Sequence, residues 1–145
     1  MKKSKPLFVQ GAIPAQKLAD SVAHHSSQVN IGAHAIFLGQ VRADQVGDAT
    51  VTAIDYSAHE EMAQKVYDEI REACFSRYAI TCAHVYHSLG EVAVGTLCFY
   101  VFTSAERRKD AIDACSYFVE QIKANVPIFG KEVLSDASYQ WKVNR

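Results

Sequence analysis

The chain has 145 residues, 49% of them hydrophobic and 21% charged, and a net charge of −1. That length and balance suit one soluble domain with a buried core. The near-zero charge excludes bulk attraction to nucleic acid or membrane, so any anion site must be built locally. Cys74, Cys82, Cys98 and Cys115 form no CxxC or other metal-ligand spacing. Each lies in an apolar run, where a thiol acts as a small hydrophobe, and unpaired thiols fit a reducing cytoplasm. The opening MKKSKPLFVQGA is basic but lacks the apolar core of a signal peptide. No stretch approaches the roughly 18 consecutive apolar residues of a membrane span.

Residues 7–11 read as a short strand, and Pro14 suits the first turn of a helix with Leu18 and Val22 on its apolar face. His24 and His25 fall at its frayed end, facing solvent, with no third ligand near in sequence. IGAHAIFLGQVR (31–42) alternates as a strand, with Gly39 marking a bulge or close backbone approach. A loop with a Gly-Asp turn leads to a strand over 50–59, which is expected to pair antiparallel with 31–42. Residues 60–78 form an amphipathic helix on Met62, Val66, Ile70, Ala73 and Cys74. ITCAHVYHSL is a strand, LGEVAVG a turn region, and TLCFYVFTS an apolar and therefore central strand. A second amphipathic helix follows, with Ala111, Ile112, Cys115, Phe118, Val119 and Ile122 on its core face. PIFGKEVLS and YQWKV close the chain as strands. The order β-α-β-β-α-β-β-α-β-β predicts a two-layer α+β fold with three main helices.

Cations are concentrated on the stretch from Ser104 to Glu132. Arg107 and Arg108 open its helix, at the end where basic side chains oppose the dipole. Together with the free backbone N–H groups they suit phosphate or carboxylate. Lys123, at the other end, complements the dipole, which is reason enough for a surface lysine. Arg42 reads by itself as a solvated strand-end arginine, and Lys131 with Glu132 as a surface ion pair. Arg108 and Lys123 lie 15 residues apart, about 22 Å along the helix axis. One small ligand cannot touch both within one chain. Either there are two sites, or two subunits pack so that the start of one helix meets the end of another. No Ser-His-Asp order, Gly-rich phosphate loop or dinucleotide fingerprint is present.

Taken together, these residues resemble the large, catalytic subunit of molybdopterin synthase, the MoaE family, over nearly the whole chain. The family's G-x-V-R is matched by Gly39, Gln40, Val41 and Arg42, and its Y-x-A-x-x-x-M-A by Tyr56, Ala58, Met62 and Ala63. H-R-x-G falls on His87, Ser88, Leu89 and Gly90, and the helix-opening H-R on Arg107 and Arg108. K-x-x-x-P-x-W-K-x-E falls on Lys123, Pro127, Phe129, Gly130 and Glu132.

The resemblance implies an α/β-hammerhead-type fold with a mixed, mainly antiparallel sheet. It also implies a homodimer carrying one small ubiquitin-like MoaD-type subunit at each end, in a heterotetramer. That partner would bring a C-terminal Gly-Gly thiocarboxylate. The implied reaction inserts two sulfurs into cyclic pyranopterin monophosphate (precursor Z), giving molybdopterin, with no metal, nucleotide or other cofactor on this subunit. The implied catalytic residues are Lys123 and Lys131. The implied substrate-binding residues are Phe37, Gln40, Val41, Arg42, Arg107, Arg108, Gly130 and Glu132. Three positions depart from the family. Arg107 replaces the helix-opening histidine, Ser88 replaces the arginine of H-R-x-G, and Gly130 stands where a second lysine belongs, with Lys131 one place later. A bulge at Gly130 would re-aim Lys131 into the site. The Gly130 and Arg107 departures leave open a non-catalytic dimeric anion- or pterin-binding or assembly homologue.

Overall fold

The computed structural model describes residues 5–143. Its elements are β1 (Phe8–Gln10), α1 (Gln16–His25), β2 (Ala33–Gln40), β3 (Gln45–Val46), β4 (Ala49–Ala58) and α2 (Glu60–Arg77). They continue with β5 (Ile80–Ala93), β6 (Leu97–Ala105), α3 (Arg108–Asn125), β7 (Ile128–Leu134) and β8 (Tyr139–Trp141). The strands form one open sheet in the order β2-β6-β5-β4-β7-β8, with β1 beside β5 and β3 beside β4. Among the described residues, only β1 runs parallel to its neighbour. The fold is α+β, with three helices and a mainly antiparallel sheet, as the sequence predicts.

β6 is central because nearly every residue in it is apolar and both its faces are covered. Phe99 and Val101 enter the main core with Tyr67, Ile70 and Cys74 of α2 and Ala114, Phe118 and Ile122 of α3. Tyr100 and Phe102 point the other way and pack with Ile13 and, beside it, Leu18 of α1. Alternation along one strand thus separates the α2/α3 layer from α1. The helix faces are turned slightly from the expected ones. Ala63, Tyr67, Ile70 and Cys74 are the buried residues of α2, while Met62 and Ile112 stand in solvent.

Strand pairing departs from the sequence reading in two places. β4 was expected beside β2, but it pairs with β5 and β7, and β2 pairs with β6 instead. The Gly-Asp turn does reverse the chain, at Gly47 (φ 61°), but it joins β4 only to the two-residue β3. The expected turn through Gly90 is the interior of β5. Gly90 takes φ 82°, a conformation that favours glycine. There the strand bends from its pairing with β6 (80–87) to its pairing with β4 (90–93). The bulge expected at Gly39 is present, between Gly39 and Gln40. A Cβ at Gly39 would lie 3.0 Å from Phe99 Cβ, so the close approach requires glycine.

Candidate anion site

Lys123 comes from the last turn of α3, just before the chain leaves the helix at Val126 and enters β7. It is partly buried, and its Nζ lies 5.2 Å from the centre of the buried Phe99 ring. Burial, and then the charge of Lys142, hold its ammonium below the usual lysine range. His87 is fully enclosed nearby. Its Nδ1 lies 2.8 Å from the Ser88 carbonyl, and its ring packs edge-on against Tyr56 at 4.9 Å. Burial, with Lys123 and Lys142 adding to it, brings His87 down to about 4, so the ring is neutral near pH 7. The Tyr56 phenol is held above its usual range by burial, by the neighbouring Cys98 and by Glu132.

Lys142 was not among the residues expected from the sequence, and the hairpin places it. β7 and β8 pair with Lys131 opposite Trp141 and Glu132 opposite Gln140. The Lys142 backbone N–H continues the ladder, donating to the Gly130 carbonyl at 2.7 Å. Tyr56, Gly130 and Lys142 therefore form one row on one face of the sheet. A Cβ on Gly130 would point at that row, 3.3 Å from Tyr56 Cε1 and 3.5 Å from Lys142 Cβ. Counting back from the SDAS turn at 135–138 is the sequence signal that would have found Lys142.

Lys131 faces the other way. The β4–β7 register runs unbroken from Ala58–Ile128 to Ala53–Val133, so no bulge exists at Gly130. Lys131 stays on the opposite face, with its Nζ 4.6 Å from the Tyr139 ring centre. The expected convergence of Lys131 on Lys123 does not form, because strand alternation is not interrupted.

Arg42 follows the bulged end of β2 and is 78% exposed. Its Nε lies 3.2 Å from Asp44 Oδ1, a pair that solvent makes weak and easily exchanged. Arg42 and Lys142 line one cavity of about 650 Å³, with Glu132 and Gln140 between them. Glu132 is buried and held by Gln140, whose Nε2 donates to its Oε1 at 2.8 Å. Val41 is buried beneath, while Phe37 packs edge-on against Phe99 at 5.7 Å and Gln40 is exposed. Arg107 and Arg108 stand exposed at the far end of α3, with Arg107 as an extended N-cap. Ser88 is buried and donates to the Gly11 carbonyl at 2.6 Å. It is a structural tie to β1.

A family profile described as MoaE protein matches residues 10–125. The chain belongs to the MoaE family. It is 34% identical to the molybdopterin synthase catalytic subunit of Pyrococcus abyssi over 113 residues, 78% of this chain and 76% of that protein. The catalytic subunit of Oryza sativa subsp. indica is 35% identical over 121 residues, 83% of this chain but 62% of the longer plant protein. Among solved structures, molybdopterin synthase from Staphylococcus aureus superposes with a TM-score of 0.82 at 25% identity, covering 97% of this chain and 99% of that one. The fold also matches a chain in the complex of subunits 1 and 2 of molybdopterin-converting factor from Helicobacter pylori. There the TM-score is 0.79 and the identity 21%, over 96% of this chain and 90% of that one.

Proposed function

We infer that the chain is the catalytic subunit of a molybdopterin synthase and works as a sulfurtransferase. It takes sulfur from the thiocarboxylated C-terminus of a small MoaD-type subunit and inserts it into precursor Z to make molybdopterin. The observation that supports this reading most is the desolvated Lys123, which feels the charge of Lys142, itself in the wall of a cavity that Arg42 also lines. Both reactants are anionic, one a thiocarboxylate and one a cyclic phosphate. Fixed cations in a partly dry site bring them together and stabilise the charge that develops as the phosphate ring opens. Lys123, with its lowered proton affinity, is the general acid/base or electrostatic catalyst, and Lys142 supplies the second ammonium in place of Lys131. Arg42 holds phosphate or pterin oxygens, with Glu132 in the same cavity wall, and Phe37, Gln40, Val41 and Gly130 belong to the proposed substrate-binding set. Arg107 and Arg108 complete the pocket of a second subunit in a homodimer. A small subunit at each end makes a heterotetramer, and the unpaired thiols suit a cytoplasmic setting. Among the described residues no helix is long and apolar enough to cross a membrane.

The test is reconstitution with purified thiocarboxylated small subunit and precursor Z. Wild type is expected to form molybdopterin, and Lys123→Ala to lose roughly a hundredfold or more of the rate while keeping its fold. Full activity in Lys123→Ala would remove the catalytic assignment. Failure of the wild-type chain to convert precursor Z would leave a non-catalytic binding homologue.

A further inference from the structure

A second cluster of reactive side chains lies on the α1 face of the sheet, away from Lys123. Cross-strand register places His34, Ser104 and Cys82 in one row, and Ile36, Phe102 and His84 in the next. Cys82 and His84, two residues apart on β5, therefore project from the same face. α1 ends directly above them. The sequence reading put His25 in solvent, yet it is only 4% exposed, the one buried residue of α1, with its ring 5.1 Å from that of Phe102. Its burial follows from the long-range packing of α1 on β6, which local pattern does not encode. Cys82, expected as a small core hydrophobe, is partly exposed instead.

His25 Nε2 lies 3.2 Å from His84 Nε2, and one ring nitrogen of each histidine lies within 4.8 Å of Cys82 Sγ. The other His25 nitrogen, Nδ1, is 2.7 Å from the Ser21 carbonyl, which has no proton to give. Nδ1 therefore carries the hydrogen, and the Nε2 lone pair points at His84. An imidazole fixed by a backbone carbonyl in this tautomer is the arrangement that metal-binding histidines use. The three side chains line a cavity of about 520 Å³ beside the stretch of β5 that β1 and β4 leave unpaired.

We propose that His25, Cys82 and His84 form a binding site for a zinc-type divalent ion. The ligand atoms are His25 Nε2, His84 Nε2 and Cys82 Sγ, and the fourth position opens to the cavity. Tetrahedral zinc, bonded to nitrogen at about 2.0 Å, holds two such nitrogens about 3.3 Å apart, close to the separation of the two imidazoles. The corresponding nitrogen–sulfur edge is about 3.6 Å, so Sγ has at most about 1 Å to close. A side-chain rotation suffices, because Cys82 is partly exposed and its thiol makes a long contact to Gln28 Oε1 at 3.8 Å. Two imidazoles and a thiolate select a borderline ion over magnesium or calcium. Lys5 and Arg71 near His84 oppose a cation, and the thiolate formed as the Cys82 proton leaves offsets part of that charge. The bound ion ties the end of α1 to β5.

The full-length chain, stripped with chelator, is titrated with Co²⁺ as a spectroscopic probe. One cobalt per chain is expected, with a thiolate-to-cobalt charge-transfer band, tetrahedral visible absorption and displacement by Zn²⁺. Cys82→Ser should abolish the charge-transfer band and, like His84→Gln, weaken binding roughly tenfold or more. His59→Gln, at the start of α2, should bind as wild type does. Circular dichroism establishes that each variant is folded. If His84→Gln unfolds, the partly exposed Cys82→Ser decides alone. Absence of saturable binding, or binding that survives Cys82→Ser with its spectrum unchanged, would overturn the site and mark adventitious coordination by surface histidines.

Discussion

Glycine at position 130 and lysine at 142 are two halves of one arrangement. The space a side chain would take at Gly130 is bounded by Ile54 Cγ2 at 3.0 Å and Tyr56 Cε1 at 3.3 Å, with Lys142 beside it. A lysine restored by Gly130→Lys meets an occupied position, so the variant is expected to lose about 1–3 kcal/mol of stability in chemical denaturation. Lys142→Ala removes the neighbouring cation. Its sulfur-transfer rate should fall more than that of Lys131→Ala, and the ionisation of Lys123 should move to higher pH in the rate profile, because a like charge has gone. His87 gives a separate prediction of pH dependence. Its proton affinity drops from the free value of 6.5 to about 4 in the folded chain. Between those values the unfolded state binds the extra proton, so stability is full above pH 6.5 and declines as pH falls towards 4. The loss is on the order of 3 kcal/mol, read as a falling melting temperature that His87→Gln flattens. Of the site, Arg42 and Lys123 were legible because they sit in motifs. Lys142 was not, since its place depends on hairpin register, and Lys131 could enter the site only through a bulge at Gly130, which the regular ladder lacks.

Elements whose identity is local were readable in the sequence. The apolar period of α3 and its end before Pro127 follow from residues within the helix and just after it, as does the unbroken apolar run of β6. Which strand lies beside which was less readable, because pairing is decided by distant partners. β2 has an apolar partner in β6 more than 50 residues later, and the nearer β4 goes to β5 and β7. The bend in β5 makes this possible, since one strand serves β6 at one end and β4 at the other. Gly90 at φ 82° carries that bend, and a Cβ there finds room, with only Gln10 Oε1 at 3.5 Å. The cost of Gly90→Ala is therefore backbone strain alone, about 1–2 kcal/mol in equilibrium unfolding. A larger loss would mean that packing, and not φ, fixes the glycine.

At the scale of the whole molecule, α3 sets a length that one chain cannot bridge. It runs from Arg108 to Asn125, so the arginine pair and Lys123 stand about 22 Å apart along a straight element. If one substrate uses both, two copies must supply them, and a two-fold axis then makes two equivalent composite pockets. Mixing inactive variants tests this directly. Lys123→Ala and the double variant Arg107→Ala/Arg108→Ala are each expected to be nearly inactive as homodimers. In a mixed dimer one pocket receives both defects, while the other receives an intact lysine from one chain and intact arginines from its partner. Random re-association makes about half the dimers mixed, each with one working pocket of two, so activity should return to roughly a quarter of the wild-type value. Recovery requires exchange, so unmixed controls must stay silent and the yield must follow the ratio of the two chains. If the mixture stays as inactive as its components although mixed dimers form, Lys123 and the arginine pair do not share a pocket, and the two ends of α3 serve separate purposes.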